Sequence, residues 1–109
     1  MNLWSGRAGP GGFALAGGPV LPVAAGGATT LGLRPQHLRL DPAGPLQATV
    51  TLVEALGAES VIHADLAGGH KLLAVLPGQP DLARAATVRL GFDTVQAHLF
   101  GADGLRVAD

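Results

Sequence analysis

Apolar and polar positions alternate most cleanly over residues 46–53, where Leu46, Ala48, Val50 and Leu52 are expected on one face and Gln47, Thr49 and Thr51 on the other. A period of two is the signature of a half-buried β-strand. The alternation resumes over residues 60–66, with Ile62, Ala64 and Leu66 opposing Val61, His63 and Asp65. Gly57 marks a bend between these two strands, and Gly68-Gly69 predicts a hairpin turn into a further strand over residues 70–76, ended by Pro77-Gly78. Shorter strands are expected over residues 20–23, 29–33, 88–92, 98–100 and 105–107, separated by Gly, Pro and Asp clusters. Pro35, with its fixed φ and missing N–H, is suited to open one helical turn over Gln36 and His37. Short strands at near-regular spacing with no long helical period indicate a small barrel or sandwich. No internal repeat is evident.

With 109 residues, the chain is one small domain that buries roughly 65% of the surface its unfolded form exposes. Residues 8–33 carry no charge, which raises a membrane span or a signal peptide. Pro10, Pro19 and Pro22, together with three Gly pairs, would break a spanning helix and leave backbone groups without partners in lipid. Gly17, Gly18, Pro19 and Pro22 also puncture the apolar run that a signal peptide ending at Ala24-Ala25-Gly26-Gly27-Ala28 would need. Seven Lys plus Arg against eight Asp plus Glu give a net charge of −1, too small a field to gather nucleic acid or anionic lipid. Without tyrosine, and with one tryptophan and three phenylalanines, there is no stacking platform for single strands. Phe92 and Phe100 are expected in the core. Zero cysteines exclude disulfides and thiolate metal sites, so packing alone must hold the fold.

The chemistry that catalysis would require is absent from the sequence. The single lysine, Lys71, follows no Gly-rich phosphate loop, so nucleotide hydrolysis by that route is excluded. Ser60 and His63 stand three apart on a strand and face opposite ways, which keeps nucleophile from base. His37, His63, His70 and His98 lack metal-ligand spacing, and no metal or cofactor site is expected.

Three stretches carry a resemblance. Leu31-Gly32-Leu33-Arg34-Pro35-Gln36-His37-Leu38, then Val53-Glu54-Ala55-Leu56-Gly57-Ala58-Glu59, then His98-Leu99-Phe100 occur in the order found in the C-terminal regulatory domain of sugar-importer ABC ATPases, the MalK-like family. Met1-Asn2-Leu3 also resembles the Met-Asn-Phe/Leu that opens that domain. The resemblance implies an all-β fold, a small oligonucleotide/oligosaccharide-binding (OB) type barrel called TOBE, with short helical turns. It implies that residues 1–109 are a single regulatory domain, the C-terminal fragment of a larger ATPase whose nucleotide-binding domain is not in this chain. The implied function is non-catalytic regulation and dimerisation of the ATP-binding subunit of an importer for sugars, polyols or glycerol phosphate. ATP and Mg would bind in the missing domain. The partners would be a second copy of the subunit, the membrane subunits through the missing domain, and a regulatory protein, with the subunit peripheral at the cytoplasmic face of the cell membrane. The rival reading is a free-standing small-ligand module holding an oxyanion or sugar, for which Arg34, Arg39 and Arg89 are the available cations.

The candidate interface or regulatory residues are Arg34, Gln36, His37, Glu54, Gly57 and Glu59. Arg34 offers up to five donors and is expected to pair with a carboxylate, Glu54 or Glu59. Two roles are open for the corner: Arg34 and His37 lock the turn against the barrel, or they form part of a contact surface. Gln36 stands where the family has Glu, which removes a negative charge from that surface. Thr94 stands where the family favours Pro, so a looser turn is expected before His98. The family's hinge position would put Trp4 at a domain junction.

Overall fold

In the computed structural model, which describes residues 1–23 and 26–107, the protein is all β. Ala24 and Ala25 of the signal-like motif lie outside the described residues. The first four strands are β1 (Asn2–Gly9), β2 (Gly12–Leu15), β3 (Val20–Leu21) and β4 (Thr30–Leu33). After a 3-10 turn at Pro35–His37 come β5 (Arg39–Leu40), β6 (Leu46–Ala55), β7 (Glu59–Leu66), β8 (Lys71–Pro77) and β9 (Thr87–Gly91). A second such turn, Thr94–Gln96, leads into β10 (His98–Phe100). They form two antiparallel five-stranded sheets, ordered β10-β4-β1-β2-β3 and β5-β9-β6-β7-β8. The edges of the second sheet approach each other where Arg39 and Leu40 of β5 share a cleft with Leu76 and Pro77 of β8, which curls it towards a closed barrel.

Two strand crossings tie the sheets together. β4 of the first sheet passes through Pro35–His37 into β5 of the second, and β9 of the second passes through Thr94–Gln96 into β10 of the first. The crossings run antiparallel, with Leu31 opposite Leu99 and Leu40 opposite Leu90. Both turns are entered from extended residues, Arg34 and Asp93, and left through extended residues, Leu38 and Ala97. This is a structural repeat without a matching sequence repeat: Pro35 presets one turn, whereas the other forms around Thr94 with an ordinary backbone. With Thr94 in place of proline the turn still closes, since Gln96 and Ala97 donate to Asp93 O and Thr94 O. Leu31, Leu33, Leu38, Leu90, Phe92 and Leu99 of the crossings all enter the core.

The N-terminal hairpin of β1 and β2 is absent from the strand pattern read in the sequence. Its burial is inverted: Asn2 and Trp4 point in while Leu3 is exposed. Asn2 is buried because its amide takes the place of a strand's peptide group. Its Nδ2 donates to Leu33 O at 3.1 Å and Leu73 O at 2.8 Å, and Leu73 N–H donates to its Oδ1 at 2.7 Å. Two residues on, Trp4 Nε1 donates to Lys71 O at 2.7 Å. These side chains close the seam between β1 and β8. Trp4 is therefore a core residue of this domain, 1% exposed, and not a junction residue.

Three further expectations change. A bulge between Val50 and Leu52 inserts Thr51 into β6 and turns Leu52 outward, so the inward series ends at Val50. The strand at residues 20–23 stops at Leu21, before Pro22, which has no N–H for a ladder. Residues 105–107 contribute only an isolated bridge between Arg106 and Phe100.

Candidate functional site

Arg34 lies where β4 gives way to the first 3-10 turn, and both Arg34 and Gln36 are exposed. His37 is half-buried, and its Nδ1 has no hydrogen-bond partner among the described residues. The turn packs on β8. Alternation on β4 and β10 sends Leu31, Leu33 and Leu99 inward, leaving Arg34, His98 and Phe100 on the outer face. His98 sits opposite Gly32, one diagonal step from Arg34, and Arg106 arrives opposite Phe100. His98 is held below the ordinary histidine pKa, first by burial and then by the positive charges of Arg106, Arg34 and His37. This corner brings His98 and Arg106 beside Arg34, two residues that sequence reasoning does not single out as site residues. In the sequence His98 stands out only as part of a strand motif, and the bridge that delivers Arg106 leaves no pattern there.

The outer surface beside the corner is apolar. A Cβ on Gly32 would meet Met1 Sδ at 2.6 Å, Leu3 Cδ2 at 3.1 Å and Phe100 Cε2 at 3.2 Å, so these three side chains close over the bare backbone of Gly32. A larger residue at position 32 would push them apart.

Glu54, Gly57 and Glu59 gather on the β6–β7 hairpin. Its turn is closed by Leu56 N–H donating to Glu59 O, and Gly57 has φ +88°, the first central position that a two-residue hairpin of type II′ reserves for glycine. Ser60, fully buried, anchors the hairpin base by donating to Gly78 O at 2.9 Å. The expected pairing of Arg34 with Glu54 or Glu59 is not formed. Glu54 Oε1 instead meets His63 Nε2 at 2.5 Å across the β6–β7 ladder, because the bulge sets Leu52 opposite His63 and leaves Glu54 on the diagonal. Arg34 and Glu59 have no ion-pair partner among the described residues. The structure thus separates the six candidates into a corner trio, Arg34, Gln36 and His37, and a hairpin trio, Glu54, Gly57 and Glu59.

A concavity of about 660 Å³ lies between the β2–β3 turn and the outer face of the second sheet, over Gln47, Thr49, Asp65 and Arg89. Its charges are already engaged. Arg89 donates to Gly44 O and Gln47 Oε1, each at 3.0 Å, and Lys71 Nζ donates to Asp65 at 2.6 Å. Arg39 pairs with Asp93 at 3.3 Å. The three cations of the small-ligand reading, Arg34, Arg39 and Arg89, thus each have separate surroundings. Among the described residues no three His, Cys, Asp or Glu side chains are grouped to hold a metal ion. No helix among them is long and apolar enough to cross a membrane.

A family model described as "TOBE domain" matches residues 31–100, from the core of β4 to the end of β10. The sn-glycerol-3-phosphate import ATP-binding protein UgpC of Ruegeria pomeroyi is 37% identical over 113 aligned residues, covering 100% of this chain and 32% of that protein. The protein of the same description from Brucella abortus is 37% identical over 90 residues, covering 76% of this chain and 26% of its own length. That from Salmonella paratyphi A is 37% identical over 118 residues, 98% of this chain and 33% of its own length. The similarity falls in the C-terminal region of these proteins. The chain spans about a third of the length of the curated relatives it matches.

Proposed function

The chain belongs to the TOBE domain family, and on that footing we propose that it is the non-catalytic regulatory and pairing domain of the ATP-binding subunit of an ABC importer. The observation that carries this reading is the alignment of the whole chain with about a third of an import ATP-binding protein at 37% identity. The relatives' description narrows the solute class, sugars, polyols or glycerol phosphate, towards glycerol phosphate. ATP and Mg would bind in the remaining two thirds of such a subunit, which would also meet the membrane subunits at the cytoplasmic face. The part left to this domain is mechanical: to hold two subunits together while the ATP-binding parts open and close, and to receive a regulatory protein. A barrel sealed by Asn2 and Trp4 and tied by two crossings suits that task, since rigid edges keep a contact while neighbouring domains move.

The test is a graft. This chain replaces the corresponding C-terminal third of the Ruegeria protein, and uptake of labelled glycerol 3-phosphate is measured in cells lacking that subunit. Uptake well above that of the truncated subunit is expected. Uptake no better than the truncation, from a chimera that accumulates normally, would overturn the reading. The small-ligand alternative draws on the groove over Arg89, and it predicts saturable heat on titrating phosphate or a polyol into the chain, lost in Arg89→Ala.

A further inference from the structure

On the outer face of the first sheet, two guanidinium groups stand on either side of one imidazole. His98 lies opposite Gly32, Arg34 follows Gly32 by two residues, and Arg106 bridges to Phe100, two residues beyond His98 on β10. Long side chains on such diagonal positions of neighbouring strands come within reach of one another. Both arginines are exposed, and neither has an ion-pair partner among the described residues. Asp103, the carboxylate nearest to Arg106 in the chain, is engaged by Leu105 N–H, which donates to its Oδ1 at 3.0 Å. Burial first, then the charges of Arg106, Arg34 and His37, hold the His98 pKa down, so the positive field reaches the imidazole uncompensated. Beside these groups the half-buried Phe100 closes over Gly32 together with Met1 and Leu3, which are 55% and 61% exposed. The result is a polar, positive half and an apolar half on one open face.

We infer that this face binds a soluble phosphate monoester, its phosphoryl oxygens between Arg34 and Arg106 over His98 and its carbon-bearing end on Phe100 and Leu3. The planar fork of a guanidinium matches phosphoryl oxygens, and a dianion answers two arginines where a carboxylate answers one. His98 adds an N–H donor and, on taking up a proton, a third positive charge, so anion and proton each favour the binding of the other. An ester fits better than bare phosphate, because only its carbon-bearing end covers Phe100 and Leu3. A free ester fits better than a lipid headgroup, since a net charge of −1 gives the chain no attraction to an anionic bilayer. This face is separate from the groove over Arg89, whose guanidinium already donates to Gly44 O and Gln47 Oε1. It also stands apart from the pairing function proposed above and does not rest on it.

The test is a titration of the full chain with phenyl phosphate and with inorganic phosphate, at neutral pH and matched ionic strength, following the His98 ring protons by NMR. Saturable shifts are expected, with a Kd of about 1 mM for phenyl phosphate and one about threefold weaker for inorganic phosphate. Bound ligand should also raise the pH at which the His98 ring titrates. Arg34→Ala and Arg106→Ala should each weaken phenyl phosphate about fivefold, while Arg39→Ala, which removes the same charge elsewhere, should stay within about twofold of the native chain. Leu3→Ala should weaken phenyl phosphate and leave inorganic phosphate unchanged. All four positions are exposed, and a melt of each variant separates lost binding from lost folding. No saturable response, equal losses in Arg39→Ala and Arg34→Ala, or a loss confined to Arg89→Ala would each overturn the site. Inorganic phosphate binding as tightly as phenyl phosphate would overturn the ester as its ligand. A chain that ignores phenyl phosphate but floats with vesicles containing phosphatidic acid would overturn the soluble ligand in favour of a lipid. The graft experiment on the pairing function is untouched by any of these results.

Discussion

The corner and the hairpin hold three candidate residues each by opposite means. At the corner, Arg34, Gln36 and His37 ride on a strand crossing whose neighbours Leu31, Leu33 and Leu38 are buried, so the charges stand on the protein's own core. On the hairpin, Glu54, Gly57 and Glu59 are all exposed, and beyond the bulge β6 is held by its ladder to β7 and the glycine turn, while β7 is also paired with β8 and anchored by Ser60. The difference teaches where surface chemistry can be changed alone. At the corner, truncating a buried leucine beneath the charges acts on the fold, whereas on the hairpin an exposed side chain can be truncated with the core left intact.

The largest test of that contrast is leucine truncation in both regions. Leu31→Ala, at a fully buried crossing position, should lower unfolding free energy by about 2–5 kcal/mol in urea titration. Leu56→Ala on the exposed hairpin should stay within about 0.5 kcal/mol. Equal losses would erase the distinction. Next comes the seam: Asn2→Ala removes three hydrogen bonds and leaves Leu73 N–H without its acceptor, at an expected cost of about 1–3 kcal/mol. The same urea titration reads this directly. Gly57→Ala forces a side chain into positive φ and should cost about 1–2 kcal/mol, the greatest effect expected of a hairpin substitution, by the same measurement.

A smaller, pH-dependent effect belongs to the corner. Burial and the charges of Arg106, Arg34 and His37 set the His98 pKa lower in the folded chain than in the unfolded one, so the unfolded chain takes up the proton first. The stability contributed by neutral His98 is complete above about pH 6.5 and falls as pH drops from there through the folded-state pKa. Melting curves between pH 8 and pH 5 should therefore slope less in His98→Gln than in the native chain. The smallest effect is expected from Arg39→Ala, which breaks an exposed ion pair with Asp93 and should change stability by less than about 1 kcal/mol, decreasing with salt.

Much of this architecture was legible where burial follows alternation. Leu46, Ala48 and Val50 declare their face, Gly68-Gly69 declares its turn, and Pro35 declares a helical turn. The N-terminal hairpin escaped because a buried asparagine and an exposed leucine invert the pattern that strands normally show. The amide of Asn2 is stable inside only because Leu33 and Leu73 of other strands satisfy it, a fact no local window contains. The partner of Glu54 is hidden from the sequence for a related reason. One extra residue at the bulge fixes its side and its diagonal neighbour, and Thr51 looks like any other strand threonine. Of the six candidate residues, their positions on a turn and a hairpin could be read in the sequence; their separation into two surfaces could not.

The crossings also set an order of events when the chain folds. Residues 30–33 pair with residues 98–100, and residues 39–40 with residues 90–91, across some of the longest sequence separations in the protein. Such non-local pairing is slow, on the order of milliseconds to seconds for small β proteins. During synthesis β6, β7 and β8 can zip as consecutive hairpins as soon as they emerge, while the outer edge of β4 stays bare until the last strand is released. For that interval the corner is an open strand edge, the kind that recruits other chains. The surface that carries Arg34 and His98 is therefore the last part of the domain to exist.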